Sequence, residues 1–156
     1  MRRLSWTAAI IFALDQLSKW IVVHLMDLKT LAVIEVLPPY LTFHMAWNRG
    51  VNFGLFGSGS DITRWFLIAL ALAISAWVVW WVRQDGGGKI VEISAGFLVG
   101  GALGNVIDRV LYGAVADFLN MSCCGVENPF SFNVADIAIF IGAFGLMIFA
   151  GRGKSA

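Results

Sequence analysis

Residues 90–112 read IVEISAGFLVGGALGNVIDRVLY, and this stretch decides the fold. It is a nearly unbroken apolar run, and a helix crossing a bilayer needs about 20 mostly apolar residues. Gly96, Gly100 and Gly104 recur within it every four residues, the spacing of small side chains that lets membrane helices approach closely. That stripe implies packing inside one helical bundle, or, as the rarer alternative, a groove that admits a foreign helix. The run closes on Asp108 and Arg109, charges that hydrocarbon does not tolerate unpaired.

Outward from this run, three more segments have spanning length: roughly Leu4–Met26, Trp65–Val82 and Phe132–Ala150. Asp15 and Lys19 interrupt the first, and the second and fourth carry one ionisable residue between them, Asp136. The expected fold class is an all-α membrane protein, a single domain over residues 1–156 with no internal repeat. Its four transmembrane helices cover about 4–26, 65–82, 90–112 and 132–150, with outer loops at 27–64 and 113–131. Composition agrees. Of the 156 residues 59% are apolar and only 13% charged, whereas a soluble domain carries roughly a quarter charged. A net charge of +1 without a basic run argues against a nucleic-acid partner. Cys123 and Cys124, adjacent and alone, do not make a disulfide scaffold; a bridge between them needs a strained turn, and they read as small loop hydrophobes.

Arg2 and Arg3 give the first segment the basic start of a signal peptide. The apolar run, however, continues far past Thr7-Ala8-Ala9 and contains Asp15, so it reads as an uncleaved span. With four spans, Arg2, Arg3, Arg83, Lys89, Arg152 and Lys154 share one side, against Lys29, Arg49 and Arg64 on the other. That bias places both termini in the cytoplasm and the two long loops outside, which in a bacterium is the periplasmic face. Within the first loop, Leu31–Leu37 and Tyr40–Trp47 are rich in β-branched and aromatic residues and flank Pro38-Pro39. They predict a small antiparallel sheet on the outer membrane surface. Phe53-Gly54-Leu55-Phe56-Gly57 reads as a short interfacial helical turn, and most of the seven tryptophans fit interfacial belts.

Ionisable groups inside spans cost roughly 2.5–3.5 kcal/mol each and mark candidate sites. Asp117 lies just past the third span and Asp136 four residues into the fourth. If these spans are antiparallel neighbours, both carboxylates sit near the outer surface and can face each other. Such a pair shares one proton, because two close carboxylates do not ionise easily together. It can hydrolyse a peptide without a covalent intermediate, one acid taking a proton from water while the other polarises the carbonyl. The plainer alternative makes Asp117 a solvated loop residue and Asp136 a charge favoured at a helix start. His24 and His44 stand 20 residues apart with no metal-binding spacing, so no metal or other cofactor is expected. Gly57-Ser58-Gly59-Ser60 reads as a flexible turn. A proton-coupled transporter or channel subunit is the rival function, resting on Asp15 near the middle of the first span. Clustering of Asp117 and Asp136 toward one face, and the lack of an inverted repeat, argue against it.

Five motifs then appear in order: Asp15-Gln16-Leu17-Ser18-Lys19, Asn48-Arg49-Gly50-Val51-Asn52-Phe53, Gly100 through Arg109, Gly113-Ala114-Val115-Ala116-Asp117-Phe118 and Phe132-Asn133-Val134-Ala135-Asp136. Together they resemble the lipoprotein signal peptidase (signal peptidase II) family of bacterial inner-membrane aspartic proteases. The resemblance implies that Asp117 and Asp136 are the catalytic pair. It implies a prolipoprotein substrate whose cysteine already carries a diacylglyceryl group, cut just before that cysteine, with membrane lipids around it. It also implies that Asn48, Asn105, Arg109 and Asn133 bind substrate backbone or order the site. Asn105 and Arg109 share a helical face at i, i+4. Asp15 and Lys19, at the same spacing, are expected to form an internal ion pair, and with Asp108 to give structural support. For Asp108 and Arg109, mutual charge compensation stands beside a substrate role. Asn52 departs from the family pattern, where a small residue is commoner.

Overall fold

The computed structural model describes residues 1–50, 61–85, 88–123 and 128–150. The first helix, α1 (Arg2–Lys19), widens without a break into a π-helical turn over Trp20–Leu25. Met26 N donates to Ile21 O, five residues back, at 2.9 Å, and Asp27 at φ 54° then turns the chain out of the helix axis. The short α2 (Leu28–Leu31) leads into β1 (Val33–Leu37), which pairs antiparallel with β2 (Leu41–Asn48) across the Pro38-Pro39 turn. This is the hairpin expected from the sequence. Two long helices follow, α3 (Asp61–Asp85) and α4 (Lys89–Tyr112). Gly113, at φ 77°, ends α4 in the left-handed conformation that glycine adopts without a Cβ clash. The chain then enters β3 (Val115–Met121), antiparallel to β2, so the sheet order is β1-β2-β3. The last helix is α5 (Val134–Phe149).

Helix α4 is the central rod and packs on α1, α3 and α5. Its glycines make this possible. A Cβ on Gly96 or Gly100 would strike Leu4, Thr7, Ala8 or Ile11 of α1, and one on Gly101 would strike Ala135 and Ile139 of α5. The glycine stripe is therefore filled by the chain's own first helix, and the alternative of a groove for a foreign helix does not apply to it. At the other end, Phe118, Leu28 and Val22 form a small core under the sheet, with Phe43 edge-on to Phe118 at 5.7 Å between ring centres. Outward, the helices present Trp6, Phe66, Phe140, Phe144 and Met147, an apolar exterior suited to lipid.

Among the described residues, three helical stretches are long and apolar enough to cross a membrane: Arg2–Leu25, Asp61–Gln84 and Lys89–Tyr112, each of 24 residues. The fourth apolar helix has 16 residues, about 24 Å at 1.5 Å per residue, against a hydrocarbon core of about 30 Å. It starts at Val134, two residues later than expected, because Asn133 caps it.

The segment 113–131 departs further from expectation, since it contributes the third strand. Asp117 is thus a buried residue of the third strand and not a solvated loop residue, whereas Asp136 does stand at a helix start, as the plainer alternative has it. Cys123 is disulfide-bonded, not a small reduced loop residue. The expected turn at 53–57, the Gly-Ser stretch at 57–60, Asn52 and Cys124 lie outside the described residues.

Candidate active site

Asp117 stands in β3 opposite Ala46 of β2 and is 3% exposed. Asp136 occupies the third position of α5, where Asn133 and Asp136 form a reciprocal cap. The Asn133 side-chain oxygen accepts from Asp136 N at 2.9 Å, and Asn133 N donates to Asp136 Oδ2 at 3.2 Å. This is the asparagine form of a capping box, satisfying two orphan amides of the helix start. The same Asn133 turns its side-chain nitrogen the other way and donates to Asp117 Oδ1 at 2.6 Å. One fully buried amide therefore touches both acids.

Other amides complete the arrangement. Asn48, at the end of β2, donates to Asp117 Oδ2 at 3.0 Å, and its own oxygen accepts from Gly50 N at 2.9 Å. Asn105 of α4 donates to Asp136 Oδ1 at 2.9 Å, and its oxygen accepts from Asn133 at 3.2 Å and from Lys19 Nζ at 3.3 Å. Arg109, one turn on, donates to Asn105 O at 3.2 Å and lies in the field of Asp136, Asp117 and Asp108. The side chains reaching the two carboxylates are amide donors, which suit carboxylate oxygens and do not suit a metal ion. His24 stands instead beside the Tyr112 ring, and His44 is paired across the sheet with Val33.

The two acids sit in different surroundings. Burial, and then the nearby charge of Asp136, push the Asp117 carboxyl up from 3.8 to about 6. Hydrogen bonds from Asn48 and Asn133 and the charge of Lys19 oppose that rise without cancelling it. Asp136 is half-buried, on the open side of the pair. A buried acid raised to about 6, beside a more accessible acid held by amide donors, can exchange protons with water.

Asn48, Asn105, Arg109, Asp117, Asn133 and Asp136 meet at this site, and Asp15, Lys19 and Asp108 lie directly beneath it. Asp15 and Lys19 form the expected ion pair at 2.8 Å. Asp108 corrects one expectation: its partner is Lys19 at 2.8 Å, not Arg109. The geometry explains why, since neighbours in a helix point about 100° apart whereas Lys19 arrives from the facing helix. Gln16, within the Asp15–Lys19 motif, joins the cluster as well. Its side-chain nitrogen donates to Asp15 and Asp108, each at 3.1 Å, and the available signal was a polar amide inside an otherwise apolar span. Asp15 is wholly buried in this cluster.

Long apolar helices gathered under a small sheet, with two aspartates bridged by Asn133 at the junction, have the composition of a membrane protein. The chain resembles over its whole length two solved bacterial membrane enzymes, determined by the in meso method at 1.9 and 2.3 Å. The TM-scores are 0.80 and 0.78 at 27% identity, and 96% and 94% of those chains are covered. Residues 7–151 match the family model for signal peptidase (SPase) II, and the chain belongs to that family of proteases. The lipoprotein signal peptidase of Alteromonas mediterranea is 40% identical over 147 residues, covering 94% of this chain and 79% of the relative. That of Methylobacterium sp. strain 4-46 is 41% identical over 143 residues, covering 91% and 84%. That of Polynucleobacter necessarius is 38% identical over 136 residues, covering 87% and 81%.

Proposed function

We propose that this chain removes signal peptides from diacylglyceryl-modified prolipoproteins, cutting just before the lipidated cysteine, with Asp117 and Asp136 as a water-activating pair. The observation that carries the mechanism is the bridge through Asn133, which holds one carboxylate by its side chain and the other by its backbone. Asp117, buried and shifted toward neutrality, carries the shared proton. Asp136 takes a proton from the attacking water as that water adds to the scissile carbonyl. Asp117 polarises the carbonyl oxygen, and the pair then returns a proton to the leaving amine. Asn48, Asn105 and Asn133 keep the carboxylates oriented, while the planar fork of Arg109 suits carbonyl oxygens of the bound peptide. No metal or organic cofactor takes part in these steps.

The setting suits this substrate. We read residues 1–156 as one domain with four transmembrane helices in the bacterial inner membrane, both termini cytoplasmic and the site at the periplasmic boundary. The substrate's acyl chains then remain in the bilayer while its peptide reaches the sheet. Incubation of the detergent-solubilised protein with a diacylglyceryl-modified prolipoprotein tests this directly. Cleavage before the modified cysteine is expected, abolished in both Asp117→Asn and Asp136→Asn with folding retained. Full cleavage by either variant refutes the pair.

A further inference from the structure

Two carboxylates carried by different elements, a strand and a helix, need something to fix their separation. Two hydrogen bonds beneath the site do this. Asp108 Oδ2 accepts from Ala116 N at 3.1 Å, and Asp15 Oδ1 accepts from Ala135 N at 2.9 Å. Ala116 and Ala135 are the residues immediately before Asp117 and Asp136. Lys19 Nζ joins the two acceptors, lying 2.8 Å from each, and Gln16 bridges them a second time. Asp15, Lys19 and Asp108 are all buried, so the link runs through protein and not through solvent.

We propose that Asp15, Lys19 and Asp108 form a positioning clamp that sets the spacing of the catalytic pair by gripping the backbone one residue ahead of each acid. The proposal rests on the two-aspartate mechanism above and adds how its geometry is held. Each tether ends one residue from the acid it serves, within a single 3.8 Å Cα step, so the strand and the helix start move together or not at all. A misplacement of about 1 Å at a reacting group can lower the rate about 100-fold. A buried ion cluster is by itself weak support for stability, because apolar groups of similar size often do as well. Its consequence here lies in placement. Lys19 also acts on Asp117 through its charge; the charged groups around Asp117 are Asp136 from α5, Arg109 from α4 and Lys19 from α1.

The oxygens of the clamp are used unequally, and this supplies the test. Asp108 engages both Ala116 N and Lys19 through one oxygen, Oδ2. Asp15 divides the work, Oδ1 to Ala135 N and Oδ2 to Lys19. In Asp108→Asn the amide oxygen can occupy the Oδ2 place and keep the contacts to Ala116 N and Lys19, and only the second bridge from Gln16 Nε2 to Oδ1 is lost. In Asp15→Asn an NH2 group must face either Lys19 or the Ala135 amide, so one contact is lost. We expect kcat of Asp15→Asn to fall about 100-fold and that of Asp108→Asn by about tenfold or less, with KM unchanged in both. Lys19→Met is expected to move the alkaline limb of the pH–rate profile upward, because a positive charge beside Asp117 is gone. Thermal unfolding in detergent is measured alongside. Equal kcat losses in the two amide variants, losses that follow unfolding temperature, or an unmoved limb in Lys19→Met overturn the clamp. Where Asp15→Asn does not fold, Asp108→Ala against Asp108→Asn decides, the amide restoring what alanine loses; failure to restore it overturns the clamp. Asp117→Asn, run in parallel, separates the two failures: cleavage by that variant sinks the mechanism, whereas an inactive Asp117→Asn with no ranking among the others sinks the clamp alone.

Discussion

Asn133→Ser separates two roles that one side chain performs. Serine caps helices about as well as asparagine, so the start of α5 should persist. Its hydroxyl ends about one bond short of the amide nitrogen it replaces, and the 2.6 Å contact to Asp117 is lost. That hydrogen bond favours the charged carboxylate, so its removal raises the Asp117 pKa further. A hydrogen bond to a charged group is worth about 1.5–3 kcal/mol, and each pKa unit corresponds to about 1.4 kcal/mol. The midpoint should therefore rise from about 6 by about one to two units. In the proposed mechanism the active form has Asp117 protonated, so activity falls as pH rises through this midpoint. Asn133→Ser should thus retain activity at more alkaline pH than the wild type, though with a lower maximum. The assay is kcat/KM against pH from about 5 to 9 on a lipidated prolipoprotein. Asn133→Ala is the control, losing both functions, and should also unfold more easily by about 1 kcal/mol for the missing cap. An alkaline limb that stays in place in Asn133→Ser, or moves down, refutes the assignment of the proton to Asp117.

Two further outcomes follow from the geometry. The folded state binds the Asp117 proton more tightly than the unfolded chain, so its contribution to stability is complete below about pH 3.8 and lost as pH rises through about 6. The amount is on the order of 3 kcal/mol; unfolding in detergent should weaken over that window in the wild type and much less in Asp117→Asn, and equal slopes would contradict the burial of this acid. Gly100→Ala should destabilise the bundle by about 1–3 kcal/mol, because the added Cβ meets the Ala8 backbone and Ile11 of α1. A wild-type unfolding temperature in that variant would mean the two helices are farther apart than described.

The three long apolar helices were legible because hydrophobic runs of about 20 residues have few alternatives in water. The hairpin was legible because β-branched residues flank Pro38-Pro39. The strand Val115–Met121 was not. Its sequence, VADFLNM, is short, alternates poorly and follows a helix by two residues, and β2, the strand it pairs with, lies about 70 positions earlier in the chain. Pairing over such a distance leaves no local trace, and tertiary context decides it. The proximity of Asp117 and Asp136 could be anticipated from antiparallel spans alone. The partner of Asp108 could not, because which charge on a facing helix lands opposite it depends on rotation and register.

The strand explains why the two acids differ. On a loop, Asp117 would be hydrated and would titrate with ordinary carboxylates. On β3 it is covered by the sheet, and desolvation becomes the largest influence on it. Asp136, by contrast, belongs to the first turn of α5, where unpaired amides and the helix dipole favour negative charge. The bridge between Leu119 and Phe132, with hydrogen bonds of 2.8 and 3.0 Å, draws the end of the strand back beside the residue that precedes the Asn133 cap. Asn133 is thereby placed between the covered acid and the dipole-stabilised one. In the proposed mechanism, burial on one side and a helix start on the other divide a symmetric pair of side chains into a proton donor and a proton acceptor. A mutation that restored solvent to Asp117 would erase that division even with both aspartates and every helix in place.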